Sequence, residues 1–237
     1  MTGEKLYIDS HEEKIKDVVI LAARILLEAG AEGTRTEDTM DYIARHFGYV
    51  KNNSFVTNTV INFILHDQSY PRIYRIKKRN TNLIKISKVN TVSRKLVRDE
   101  LTLDEAYTLL ENIYVKTKDH PLWFKAIAGA IIAISFLYLQ DGLRLDIPTT
   151  LFAGGLGILV IELIKKKMKT QFIPEFFGGL SIALAVVFGH YYIPGGDLSV
   201  LLISAVMPIV PGVLITNAIQ DLFGGHMMMF TTKSSEA

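Results

Sequence analysis

Residues 198–225 read LSVLLISAVMPIVPGVLITNAIQDLFGG. The run opens as an apolar helix of the kind that crosses a bilayer. Pro208, Pro211 and Gly212 then interrupt it, and Thr216, Asn217 and Asp221 follow directly. Proline removes a backbone donor and its ring collides with the preceding turn, so a regular helix cannot continue through this stretch. In hydrocarbon, freed backbone groups are tolerated only where protein or a water-filled cavity satisfies them. A broken helix flanked by polar side chains is therefore a transport-site candidate. A kinked helix whose prolines only shape packing is the alternative that Pro and Gly alone leave open. On either reading the second half of the chain is a membrane bundle.

Three more apolar stretches precede this one. Spans are expected at about 123–139, 147–164, 176–193 and 198–216. A spanning helix needs about 20 apolar residues, with about 17 near the lower limit, so these are short spans. The connections QDGLRLD, KKKMKTQF and PGGD allow only antiparallel neighbours. Basic residues mark the side retained in the cytoplasm. Lys116, Lys118 and Lys125 flank the first span, and Lys165, Lys166, Lys167 and Lys169 follow the second; Arg144 is the only basic residue in the other two connections. The N-terminal half, the lysine loop and the 217–225 end of the fourth stretch are thus expected to be cytoplasmic. Gly129, Ala130, Ala133, Gly154, Gly155, Gly157, Gly178 and Gly179 have the small-residue spacing that lets helix backbones approach closely. Ionisable groups near spans are costly and so informative. Asp221 and Glu175 rank first among them, Glu175 at a helix start where the dipole favours an acid.

Charge is concentrated before residue 121, with 19 of the 26 Lys+Arg and 17 of the 24 Asp+Glu. A polar domain, 1–120, ahead of a membrane domain, 121–237, is the expected organisation. The net charge of +2 gives no basis for nucleic-acid binding. Absence of cysteine removes disulfide frameworks and thiolate metal sites. The N-terminus lacks the apolar h-region of a secretory signal.

Within the polar half, Ser10 and Glu13 form a capping-box pattern ahead of a helix. Ile15, Val18, Val19, Ala22, Ile25, Leu26 and Ala29 recur at helical spacing, and Gly30 is a natural stop. A second helix is expected with Thr36 as N-cap, Glu37 and Asp38 in its first turn, and Gly48 as its end. The cluster Arg35, Glu37, Asp38 is, by itself, a capped and solvated helix start. SFVTNTVINFIL, RIYRIKKR and the alternating LIKIS at 83–87 are β-rich and predict a small antiparallel sheet with at least one hairpin. Lys77, Lys78 and Arg79 are expected at its solvated end. Val92, Leu96 and Val97 restart helical spacing. Thr102 and Glu105 form a second capping box, before a helix burying Ala106, Leu109, Leu110 and Ile113. The order predicts an α+β domain. No catalytic constellation, phosphate loop or ligand-spaced histidine set is evident, and neither a metal nor a cofactor is expected.

At this point the residues resemble a family. GAEGTRTEDTMDYIARHFG is similar to the N-terminal signature of the threonine/serine exporter family, G-A-x-x-x-R-x-E-D-T-M, which falls here on Gly30, Arg35, Glu37, Asp38 and Thr39. PGVLITNAIQDLFGGH resembles that family's P-G-x-x-x-T-N-A-I-x-D-L motif, on Pro211, Gly212, Thr216, Asn217 and Asp221. The resemblance implies an inner-membrane secondary exporter of small amino acids driven by the proton-motive force. It also implies a partner: split members pair a long subunit, like this chain, with a short membrane subunit, and some are linked to succinate export. The family pattern continues into a fifth span, whereas the sequence stops at Ala237, so four spans are expected. Asp221 would be a proton carrier or gate, and Thr216 and Asn217 would bind substrate beside unpaired backbone donors. A membrane-anchored enzyme or sensor is the reading from a different class, and sensing of cytoplasmic substrate through Arg35, Glu37 and Asp38 is a third.

Overall fold

A computed structural model describes residues 10–116, 120–168, 172–193 and 195–236. The Ser10 side chain, Lys118 and Lys169, which carried part of the expected capping and orientation, lie outside the described residues. The fold is mostly helical, with a three-stranded sheet. The chain divides into two compact units, one of residues 1–117 with 211–237, the other of residues 118–210.

The first unit begins with α1 (Ser10–Glu28). Its predicted face is the centre of the core, with Ile15, Val19, Ala22 and Leu26 fully buried. Gly30 ends it at φ +83°, a conformation glycine adopts without a Cβ clash, and Ala31 N–H reaches back to the Leu26 carbonyl. α2 (Gly33–His46) follows. β1 (Asn53–Val56), β2 (Val60–Ile64) and β3 (Arg72–Arg75) form an antiparallel sheet in that order, with Val56 opposite Ile61 and Phe63 opposite Arg72. Alternation buries Val56, Ile61 and Phe63 on one face.

LIKIS is not a strand. α3 runs Leu83–Val97, because Asn82 caps it by accepting the Lys85 N–H. Ile86, Val89, Ser93 and Leu96 are buried at helical spacing, while Leu83 and Ile84 are exposed. The apparent period of two is the accidental start of a 3.6-residue pattern. α4 (Leu103–Val115) opens on the expected capping box: Thr102 Oγ1 accepts the Glu105 N–H at 3.3 Å and Glu105 Oε2 accepts the Thr102 N–H at 2.8 Å. Ala106 and Leu110 are buried, but Leu109 is exposed.

The second unit holds α5 (Leu122–Leu139), α6 (Ile147–Lys167), α7 (Phe172–Tyr192) and α8 (Leu198–Val206), the last continued by a 3-10 turn, Met207–Ile209. α5, α6 with its preceding turn, and α7 are each long and apolar enough to cross a membrane. A fourth span requires counting α8 together with the helix beyond the break. α7 starts four residues before the expected 176, which puts Glu175 in its first turn. This unit is inside out: Phe152, Phe176 and Phe188 point outward, while Gly129, Ala133, Gly154, Gly157 and Gly178 are buried. A Cβ on Gly154 would lie 2.6 Å from Ala133 Cβ and 3.2 Å from the Gly129 carbonyl oxygen. Small residues let backbones pack where lipid removes the hydrophobic drive for helix association. Lys125 and Glu162 join α5 to α6 by an ion pair at 2.7 Å.

Residues 211–237, expected to belong with the membrane domain, form α9 (Gly212–Phe223) and α10 (Met227–Glu236) and lie in the first unit. Their polar side chains Asn217, Asp221 and Lys233 find partners there.

Candidate functional site

The two motifs, nearly two hundred residues apart in sequence, meet in the first unit. The loop joining α1 to α2 is held from the α9–α10 side by three contacts. Asn217 Nδ2 donates to the Gly30 carbonyl at 2.7 Å. Lys233 Nζ donates to the Ala31 carbonyl at 3.1 Å. Asp221 Oδ1 accepts the Gly33 N–H at 2.7 Å, and its Oδ2 accepts from Lys233 Nζ at 2.6 Å. Asp221 is 0% exposed and Lys233 2%.

This arrangement explains the start of α2. The expected N-cap was Thr36, with Glu37 and Asp38 in the first turn. Instead α2 begins four residues earlier, at Gly33, after Glu32, which makes no side-chain cap. An orphan N–H of the first turn needs a partner, and Asp221 supplies it from α9. Thr36 lies within the helix, buried, and its hydroxyl donates to the Glu32 carbonyl. Close approach is needed on both sides: a Cβ on Gly33 would meet Met229 Sδ at 2.6 Å, and one on Gly224 would meet Thr34 Oγ1 at 2.2 Å.

Glu37 is half-buried and points toward the sheet. Its Oε1 accepts the Val56 N–H at 2.8 Å, and its Oε2 faces His226 Nε2 at 3.4 Å. Burial raises its pKa above the usual carboxylate value, against the opposing pull of the Val56 N–H and His226. Arg35, Asp38 and Thr39 lie on a different face of α2, along an open cavity of about 830 Å³. Thr34 and Tyr42 of α2, with Glu32 just before it, also line this cavity. α3 supplies Asn90, Ser93 and Arg94, followed by Arg98 just past its end, and α9 ends at it with Gln220 and Phe223. Arg35 pairs with Glu32 at 2.7 Å. Thr39 and Ser93 are short, buried, and donate to carbonyls of their own helices, Arg35 and Asn90. The cavity therefore carries charge of both signs on rigid helices over a floor of small hydroxyls.

The remaining expected residues are placed separately. Pro208 is in the 3-10 turn of the second unit and Pro211 precedes α9. α9 has no side-chain cap, and the space a Cβ would fill at Gly212 is open. Thr216 Oγ1 donates to the Gly212 carbonyl at 2.8 Å. Glu175 belongs to the second unit, partly exposed, with Lys165 at 3.5 Å. No group of His, Asp and Glu side chains among the described residues could hold a metal ion.

Sequence reasoning missed Lys233, His226, Arg94 and Arg98. Lys233 sits in a ten-residue helix with an ordinary polar pattern, so nothing local marks it. Arg94 and Arg98 are four apart, a helical pair that becomes visible once 83–97 is read as helix.

A family model for threonine/serine exporters matches residues 17–237. A Mycobacterium tuberculosis protein named "Probable threonine/serine exporter" is 21% identical over 238 residues, covering 97% of this chain and 44% of its own length. This chain thus spans less than half the length of that relative. No solved structure matches it.

Proposed function

This chain belongs to the threonine/serine exporter family, and from that premise we propose that it forms part of an inner-membrane exporter of small amino acids, threonine and serine foremost. The observation that carries the reading is the break after α8. There α9 opens at Gly212 with no side-chain cap, and nothing lies within 4 Å of where a Gly212 Cβ would stand. The first N–H groups of a helix and its dipole favour an anionic group such as a substrate carboxylate. Thr216, one turn on, adds a hydroxyl.

The polar first half faces the cytoplasm in this reading, supported by the lysines Lys165, Lys166 and Lys167 at the end of α6. Asp221 joins α9 to α2, one oxygen accepting the Gly33 N–H and the other accepting from the Lys233 ammonium. In this reading it is the proton carrier or gate, and unchanged transport in Asp221→Asn removes that role. A short membrane subunit, or another copy of this chain, completes the transport path.

The test is counterflow of labelled threonine and serine in proteoliposomes holding the chain, alone and with a short membrane subunit of the same family. Counterflow that is saturable and lowered by Thr216→Ala is expected. Its absence in every combination refutes the exporter reading. An imposed pH gradient should accelerate uptake; indifference to the gradient removes proton coupling from the proposal.

A further inference from the structure

We propose that the cavity between α2, α3 and the end of α9 binds a small zwitterion of the amino-acid class, with Asp38 taking the ammonium and Arg94 the carboxylate. The inference rests on the exporter reading for the identity of the ligand and adds a binding site outside the apolar helices.

Pairing singles the cavity out. Neighbouring charges on α2 already have partners: Arg35 pairs with Glu32, and Glu37 accepts the Val56 N–H and faces His226. Asp38 and Arg94 both line the cavity, and neither has an ion-pair partner among the described residues. They stand on different helices and form no ion pair with each other, and the buried, short side chains of Thr39 and Ser93 line the cavity with them. Opposite charges held apart on rigid elements match a ligand that carries both. Arg98, one turn beyond Arg94, also lines the cavity but is paired with Glu100 at 3.9 Å, which leaves the Arg94 guanidinium, a planar group that recognises carboxylates through paired hydrogen bonds. A dianion would leave Asp38 facing a like charge, and a dication would do the same to Arg94.

Gln220 adjoins Asp221 and lines the cavity together with Phe223. A ligand seated there touches the C-terminal turn of α9.

The experiment is titration calorimetry on the full chain in lipid nanodiscs. L-threonine and L-serine are the probes, compared with threoninol (no carboxylate), N-acetyl-threonine (no ammonium) and succinate. L-threonine should bind, and each one-charge analogue at least tenfold more weakly. Asp38→Asn should weaken L-threonine about tenfold or more and leave N-acetyl-threonine unchanged; Arg94→Gln should weaken L-threonine similarly, and Arg94→Lys partly restore it. Wild-type affinity in both Asp38→Asn and Arg94→Gln overturns the assignment, as does tighter binding of succinate than of L-threonine. If a variant unfolds, the analogue series on the unaltered chain decides. Counterflow on the same preparation keeps the two ideas apart. Transport without cavity-dependent binding removes this site and leaves the exporter reading; cavity-dependent binding without transport does the reverse.

Discussion

Replacing Asp221 with Asn should release the C-terminal helices from α2. Both members of the Asp221–Lys233 pair are buried, 0% and 2% exposed, at 2.6 Å. Asn217 and the Asn that replaces Asp221 can still hydrogen-bond the 30–33 loop, but the Lys233 ammonium loses its counter-charge inside the protein. Breaking a buried pair by removing one partner costs about 3–5 kcal/mol. The surviving Lys233 bond to the Ala31 carbonyl keeps the estimate near the lower end. At 1.4 kcal/mol per factor of ten, the equilibrium for undocking α10 should shift by at least about a hundredfold. Trypsin reports this directly, since Lys233 is cleavable only when exposed. Asp221→Asn should lose residues 234–237 rapidly, and amide exchange should accelerate at Gly33 and along α10. The double variant Asp221→Asn, Lys233→Met, which removes the buried charge as well, should recover most of the protection. If trypsin cuts Asp221→Asn at the wild-type rate while Gly33 stays protected, the pair does not hold these helices and the argument fails.

Other consequences can be measured alongside. Glu13 and Glu37 should respond to acid in opposite senses. Lys16 and Arg72 hydrogen-bond Glu13 and depress its pKa below 4.5, so its contribution is present above that value and lost as pH falls through the lowered pKa; Glu13→Gln should flatten the acid side of the unfolding profile. Burial raises Glu37, so its contribution is complete below 4.5 and lost as pH rises through its raised pKa; Glu37→Gln should lose less stability at neutral pH than in acid. Gly154→Ala should destabilise the α5–α6 contact by about 1–3 kcal/mol through overpacking, whereas Gly179→Ala, with open space around the added methyl, should leave thermal unfolding in detergent unchanged. Asn82→Ala should cost about 1 kcal/mol in denaturant unfolding by uncapping α3, and Asn82→Ser should retain most of it; no effect would return residues 83–87 to an uncapped segment.

The sequence by itself determined the features whose causes are local. The 3.6-residue apolar spacing of α1, its glycine stop, the Thr102–Glu105 box, the break at Pro211 and the small-residue stripes of α5 and α6 each follow from residues within a few turns of one another. So does the family resemblance, because its motifs are contiguous. Tertiary structure decided the features whose partners lie far along the chain. α2 begins at Gly33 because Asp221, 188 residues away, accepts its N–H. LIKIS belongs to a helix because Asn82 caps it and because the core takes Ile86, Val89 and Leu96, which five residues read alone cannot reveal. Asp221 seemed a polar group stranded at a membrane end. Its position turns on Lys233 and on the α1–α2 loop, and a buried charge settles only where a counter-charge and hydrogen bonds are already in place. The cavity of Asp38 and Arg94 belongs to the same class, since it exists only once two helices from different parts of the sequence are set side by side.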